Sequence, residues 1–350
     1  MKAATILILL VTLWAVPLLV KADDPRPHTS DITPRSMNAV ARGLAWLADQ
    51  QQDDGSWTCK VGYKLNEDFI GEEGKHVGVT ALAGMAYLAN GNTPGRGKYG
   101  HVVEGALSYV LSCVRTNDGY ISANGTRMYE HAFATMFLAE VYGMSPRDDL
   151  KEKLRQAAYL IVRSQNDEGG WRYQPFARDA DISITVSTLQ ALRAARNVGI
   201  RVPKEVIKHA MDYVKRCADN QDGSFSYQDL QKYQTRSTYP LTAAGVTALF
   251  SGGEYDSVQA RRGLDYLRTH QYELQWSKYH YFYGHYYACQ AFYQAGGAVW
   301  EDYFSTLREE ILSNQNPDGH WEDDVGPTYA TAMGCLLLSV PMDYLPIFQR

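Results

Sequence analysis

The chain has no second long apolar run, no cluster of basic residues and no closely spaced cysteines, and each absence removes a class of protein. Beyond residue 22 no stretch is apolar enough to cross a bilayer, so no membrane span is expected past the N-terminus and the remainder reads as a soluble body. Against 39 Asp and Glu stand 34 Lys and Arg, a net charge of −5 with no Lys/Arg run, which argues against nucleic acid as a partner. The cysteines at 59, 113, 217, 289 and 335 form neither a CxxC nor any short metal-ligand spacing. Five scattered cysteines are not a disulfide framework. Cys217, Cys289 and Cys335 sit in apolar helical patterns and read as small buried hydrophobes, with oxidation of one pair left open. Strand-type alternation is missing as well. No cofactor motif appears.

What the chain does have is one phrase written repeatedly. Gln165–Tyr173 reads Gln-Asn-Asp-Glu-Gly-Gly-Trp-Arg-Tyr, and variants occur at Gln50–Trp57, Thr116–Tyr120, Asn220–Phe225 and Gln315–Trp321. A degenerate copy at Gln271–Trp276 has lost its Asp-Gly. Glycines 55, 119, 170, 223 and 319 mark a period of about 50 residues, a repeat-array signature. Asp-Gly is turn chemistry in which Gly supplies a positive φ, and the aromatic two residues on can pin the turn to a core.

Met1–Ala22 carries an early Lys, an apolar run from Ala3 to Val20 and a small residue before Asp23, the layout of a secretory signal peptide. An uncleaved anchor is the competing reading. Residues 23–34 form a flexible Pro- and Asp-rich leader, and 35–350 form one domain. The expected location is secreted, periplasmic or cell-envelope.

Each repeat pairs two helical patterns. An amphipathic one precedes the turn: Val40–Gln51, Val103–Arg115, Leu154–Gln165, Val206–Ala218, Ala260–His270 and Tyr303–Asn314. An Ala/Thr-rich, apolar one follows: Val77–Ala89, His131–Tyr142, Ile184–Val198, Leu241–Phe250, His285–Ala295 and Tyr329–Leu338, several ending at Gly. Helices polar on one face belong outside, and helices apolar all round belong inside. Six such pairs close into an all-α (α/α)6 toroid.

The turn signature Gln-x-x-x-Gly-x-Trp between these helices resembles the repeat of squalene–hopene cyclases and protein prenyltransferase β-subunits. Gln165–Trp171 and Gln315–Trp321 carry it best, and it extends over essentially the whole chain after the leader. Tyr281–Trp300 is also similar to exported bacterial members of unassigned activity. The resemblance to squalene–hopene cyclases implies an Asp-x-Asp-Asp proton donor at an inner-helix start. Here Asp179-Ala180-Asp181-Ile182 stands there, with Asp181 in the proton-donor place and Ile182 replacing the last Asp. The bland reading makes Asp181 or Ser183 a helix cap. The resemblance to prenyltransferases implies a zinc site containing Asp-x-Cys, which the sequence lacks, and Arg201, Lys204 and Lys208 read as solvated rather than as diphosphate ligands. The Gly-Cys-Gly-Glu-Gln motif of complement thioester domains is absent too.

Counting back from each repeat's terminal Gly sets Thr80, His131, Thr188, Thr242 and His285 at one level of a central funnel. Glu130, Tyr239, His280, Tyr283, Asp323 and Asp324 are the further cavity-lining candidates. A ring with His, Glu and Tyr can supply general acid and base. The competing reading makes His131 and His285 ordinary polar groups of a hydrated interior, and no ligand spacing points to a metal. Tyr272, Trp276, Tyr279, Tyr281, Phe282, Tyr283, Tyr286 and Tyr287 crowd one segment, suited to carbocation stabilisation, sugar stacking or plain packing. Arg172 and Tyr173 read as braces of the turn. Three functions therefore stand: a cavity protein binding or transforming a terpenoid or polyprenyl lipid, a non-catalytic envelope scaffold engaging a protein partner, and a carbohydrate-active lyase or hydrolase engaging a saccharide.

Overall fold

The computed structural model describes residues 31–62 and 70–349. The expected signal sequence Met1–Ala22 and most of the leader lie outside the described residues. Helices come in outer–inner pairs. The first pair is α1 (Pro34–Gln50) and α2 (Val77–Leu88), with strands β1 (Thr58–Val61) and β2 (Glu72–Lys75) between them. Then follow α3 (Gly100–Ser112) and α4 (Met128–Val141), and α5 (Leu150–Arg163) and α6 (Ile182–Asn197). The last three pairs are α7 (Lys204–Arg216) and α8 (Tyr239–Ser251), α9 (Val258–Thr269) and α10 (Tyr281–Ala295), and α11 (Gly297–Ser313) and α12 (Pro327–Ser339). The inner helices pack in the ring order α2, α4, α6, α8, α10, α12, and α12 closes against α2. The outer helices α1, α3, α5, α7 and α9 each lie between the inner helices before and after them, α1 between α12 and α2, and α11 packs on α10 and α1. The (α/α)6 toroid is the observed fold.

The helix boundaries follow from composition. Every residue of α2 is buried, as its Val-Gly-Val-Thr-Ala-Leu-Ala-Gly sequence requires, whereas α7 buries only Ala210, Met211, Tyr213 and Val214 along one stripe. Inner helices start two to four residues earlier than their apolar pattern in five of six pairs, because the first turn of each holds residues outside the Ala/Thr-rich run.

The recurring phrase is a clamp between repeats. Trp57, Trp171 and Trp321 are buried, and each indole N–H donates 2.8 Å to the carbonyl ten residues back, on Leu47, Ile161 and Ile311. Gln51, Gln165 and Gln315 each donate to the turn glycine's carbonyl and to the start of the next outer helix, at Val102, Val206 and Ala39. The last of these joins repeat six to α1 and closes the ring. In the third turn the left-handed glycine is Gly169 (φ 91°), not the Gly170 expected from spacing. A Cβ on Gly169 would lie 2.4 Å from the His209 carbonyl, so the turn's approach to α7 requires glycine. Where the fifth copy has lost its Asp-Gly, a 3-10 turn at Gln271–Glu273 replaces it.

One element was not expected. β1 and β2 pair antiparallel with Cys59 opposite Gly74, and Lys60 N–H donates to Val325 O at 3.2 Å, fixing the hairpin beside the start of α12. Strand alternation is hard to see in Thr-Cys-Lys-Val and Glu-Glu-Gly-Lys because four residues put only two side chains on each face. All five cysteines are separate thiols. Among the described residues no helix is long and apolar enough to cross a membrane.

Candidate active site at the barrel mouth

The N-termini of the six inner helices surround one end of the barrel, and the side chains there reach across it. Tyr129 on α4 meets Tyr283 on the opposite helix α10, ring centroids 6.3 Å apart and edge to face. One layer down, Phe133 meets Tyr286 at 5.9 Å across the same axis. Deeper, the Tyr286 hydroxyl reaches the Met136 sulfur, and Gln190 Nε2 donates 2.6 Å to Gln290 Oε1, joining α6 to α10. The axis below Phe133 is thus crossed by the protein's own side chains.

Asp181 is the N-cap of α6 and is fully buried there. Its Oδ1 accepts from the Ser183 hydroxyl and from the Ile184 N–H at 2.9 Å. Its Oδ2 is buried without a hydrogen-bond partner, with Arg172 Nε 3.6 Å away. Arg172 also reaches Asp179, Nη1 to Oδ2 at 2.8 Å, so both aspartates of the Asp-x-Asp share one guanidinium. Burial pushes the Asp181 carboxyl up to about 6, the Ser183, Ile184 and Arg172 donors pulling the other way. One oxygen of Asp181 therefore caps the helix, and the other is left without a hydrogen-bond partner.

Tyrosines enclose this carboxyl. Tyr173 and Tyr227 join hydroxyl to hydroxyl at 2.8 Å, and the Arg172 guanidinium lies over both rings at 5.6 and 5.5 Å. Tyr129 packs 6.1 Å from Tyr173, and the Tyr283 hydroxyl is buried without a partner. The sequence reading missed Arg172, Tyr173 and Tyr227 as site residues because they adjoin the turn phrase and look like its braces. A usable signal existed: Tyr129, Ser183, Tyr283 and Tyr329 each stand two residues before the Thr or His that fixes their repeat's turn.

The other mouth candidates fall around the rim. Glu130 accepts from Arg127 N–H at 2.6 Å with one oxygen and lies 3.6 Å from His76 Nε2 with the other. His76, not singled out from sequence, caps α2, and burial lowers its pKa. Asp323 accepts from Val325 N–H at 2.9 Å and is pushed up to about 6 by burial. Asp324 is exposed, and its carbonyl accepts from Lys60. His280 is exposed at the start of α10 in a left-handed conformation (φ 65°), its ring 5.9 Å from Tyr283.

Two catalytic candidates point away from the axis. His131 accepts the Ile121 N–H at Nδ1 and bonds the Ala157 carbonyl through Nε2, fixing the turn before α4. His285 bonds the Leu274 carbonyl and the Tyr303 hydroxyl between α10 and α11. Burial lowers both to about 4, so both are neutral rings with both nitrogens engaged. Threonines do the same work elsewhere: Thr80, Thr185, Thr242 and Thr331 accept the N–H of Trp57, Trp171, Phe225 and Trp321. The expected funnel level is therefore a turn-fixing level facing outward, and in α6 it falls on Thr185, not Thr188. A single site containing both histidines is not formed, since each is bonded to the turn before its helix and to the following outer helix. Tyr239 is buried beside His285, ring centroids 6.4 Å apart, and does not line the mouth.

Residues 129–282, which include Tyr129, Arg172, Tyr173, Asp181 and Tyr227 of the mouth, match the family model of the squalene-hopene cyclase C-terminal domain. That match covers 154 of the chain's 350 residues, so it marks this segment as similar to the cyclase domain. The toroid as a whole is similar to the type II terpene cyclase MstE from Scytonema, at 14% identity over 89% of this chain and 99% of that one, TM-score 0.62. The toroid is also similar to cellobiose 2-epimerase from Bacillus thermoamylovorans, at 14% identity over 86% and 98% of the two chains, TM-score 0.63. A family 76 glycoside hydrolase, a mannosidase from Bacteroides thetaiotaomicron, follows at 9% identity over 88% and 97%, TM-score 0.59. At such identities the structures share the fold. No curated protein matches the chain in sequence.

Proposed function

We propose that the barrel mouth binds a small saccharide and that Asp181 donates a proton to it. The observation carrying this reading is the pair of buried, unpartnered polar atoms, Asp181 Oδ2 and Tyr283 OH, among tyrosine rings at an N-terminal mouth rimmed by Arg172, Asp179, His76 and Glu130. A buried orphan atom costs about 1–3 kcal/mol and is expected where a ligand completes it. Tyrosine faces suit the apolar faces of sugar rings, and the charged rim suits hydroxyl groups. A carboxyl near 6 holds its proton at mildly acidic pH and can release it to a glycosidic oxygen or a ring substituent. Phe133, Tyr286 and Met136 leave little depth below the mouth for a long lipid chain.

Proton-initiated reaction of a terpenoid lipid is the second reading, favoured by the cyclase-domain match over 129–282 and by Asp181 heading an inner helix. Its acid is assisted by Ser183 and Arg172 instead of a third aspartate.

The test is calorimetric titration of the protein with manno- and gluco-oligosaccharides and with a geranylgeranyl lipid in detergent. Saccharide heat that Asp181→Asn and Tyr283→Phe both weaken supports the first reading. Lipid heat alone, lost in Asp181→Asn, overturns it in favour of the second. Heat from neither class sinks both as ligand assignments.

A further inference from the structure

Five of the turns hold a left-handed glycine, at 55, 119, 169, 223 and 319, and in four of them the residue before it is Asp: Asp54, Asp118, Asp222 and Asp318. In each of those four the Asp Oδ1 accepts the N–H two residues on, at Ser56, Tyr120, Ser224 and His320. That local bond is what makes Asp a turn residue. The third turn, which leads to Asp181, carries Glu168 instead. There Asn166 Oδ1 takes the local bond, 3.3 Å from the Gly170 nitrogen, and the longer Glu168 side chain reaches out of the turn. Its Oε2 accepts the Ala180 N–H at 3.0 Å, and its Oε1 accepts from Lys232 Nζ at 3.0 Å and from the Tyr233 hydroxyl at 3.1 Å.

Ala180 is held at its other peptide group as well. Gln228 Nε2 donates to its carbonyl at 3.0 Å, and both Gln228 and Glu168 are buried. The next main-chain groups are engaged in the same way. Asp181 N–H donates to Trp171 O and Ile182 N–H to Tyr227 O, both at 3.0 Å, and Asp181 O accepts the Thr185 N–H at 3.1 Å. A buried carboxylate oxygen without a partner is costly, and a mobile backbone would let it turn to a donor. Asp181 Oδ2 has none while the chain on either side of it is pinned.

We propose that Glu168 and Gln228 are positioning residues for Asp181, locking Ala180 at both of its peptide groups and so keeping Asp181 Oδ2 buried and unpaired. This rests on the reading of Asp181 as a proton carrier and is independent of which ligand enters the mouth. Releasing either lock lets water and Arg172 reach the carboxylate, which favours its charged form and moves its titration toward that of an ordinary aspartate. The other titratable groups facing Asp181 are Arg172, Tyr129, Tyr173, Tyr213, Cys217, Tyr227 and Tyr283, and the variants below alter none of them.

The test is an NMR titration of the Asp181 carboxyl carbon in the full chain, its signal assigned by its loss in Asp181→Asn. In the unsubstituted protein the midpoint should lie at about 6. Glu168→Asp separates positioning from bracing, because four turns of this chain already fold with Asp at that place while the shorter side chain cannot reach Ala180. Its melting temperature should stay within a few degrees, and its Asp181 midpoint should fall below about 5. Gln228→Ala should lower the midpoint likewise. Glu168→Gln, which keeps the length and an acceptor for Ala180, should hold it close to the unsubstituted value. A midpoint still at about 6 in folded Glu168→Asp and Gln228→Ala would make the two residues plain braces and overturn the proposal. A midpoint of about 4 in the unsubstituted protein would overturn the acid reading of Asp181 and this proposal with it.

Discussion

Arg172 Nε stands 3.6 Å from the unpaired Oδ2 of Asp181 while its Nη1 holds Asp179 at 2.8 Å, so one guanidinium from the turn between repeats sets the electrostatics of the mouth. The buried carboxyl is balanced between opposite influences. Loss of water raises its pKa, and the guanidinium and hydrogen-bond donors lower it. The balance makes the following consequences measurable.

Asp181→Asn should be tolerated, and above pH 6 it should be stabilising. A carboxyl whose folded pKa is raised from 3.8 to about 6 contributes most to stability below pH 4 and loses that contribution as pH rises through 6. Asn still caps α6 and carries no charge, so the gap over the unsubstituted protein should open between pH 4 and 6 and level off at about 2–3 kcal/mol. Melting temperatures at pH 4.5 and pH 8 for both proteins measure it, and a variant less stable at pH 8 refutes it.

Arg172→Gln removes the positive charge beside Asp181 and should move the acid limb of any pH–activity or pH–binding profile upward by about one unit. A profile that stays in place while affinity falls would mean that Arg172 contacts the ligand and does not tune the acid.

His131→Thr should fold and leave the pH dependence of the mouth unchanged, because threonine fixes the corresponding turn at Thr80, Thr185, Thr242 and Thr331. The cost should be about 1–3 kcal/mol in urea unfolding, from the lost Ala157 bond and the vacated ring volume. A change in the pH profile would instead give His131 a part in catalysis.

Gln165→Ala breaks one bond within the turn, to Gly169, and one to Val206 of α7, and should cost about 2 kcal/mol, with Gln51→Ala and Gln315→Ala close to it. Unequal costs among the three, read from denaturant midpoints, would show that the clamp is not the common element of ring closure.

Tyr283→Phe should leave stability within about 1 kcal/mol, since the buried hydroxyl it removes has no partner, yet weaken ligand binding several-fold. Calorimetry and thermal melting on one preparation separate the two effects. Equal binding would place the ligand elsewhere.

The sequence by itself determined the repeat, the order of outer and inner helices and their closure. Gln165, Gly169 and Trp171 encode a turn, and helical periodicity on either side leaves few ways to bury twelve helices. It also marked Asp181, because an Asp heading an apolar helix is conspicuous. What only the tertiary structure decided is which face of each inner helix meets the axis. His131 and His285 looked like funnel residues because their level along the helices was close to right, but a 3.6-residue turn means that a shift of two positions reverses the face. Tyr129 and Tyr283, two residues earlier, face inward instead. The pairing of Arg172 with Asp181 depends on how the turn folds back on α6, and the hydrogen bonds from Gln294 and Arg193 to the Phe348 and Gln349 carbonyls join segments far apart in the chain. Ring closure brings them together, and local pattern carries no trace of such contacts.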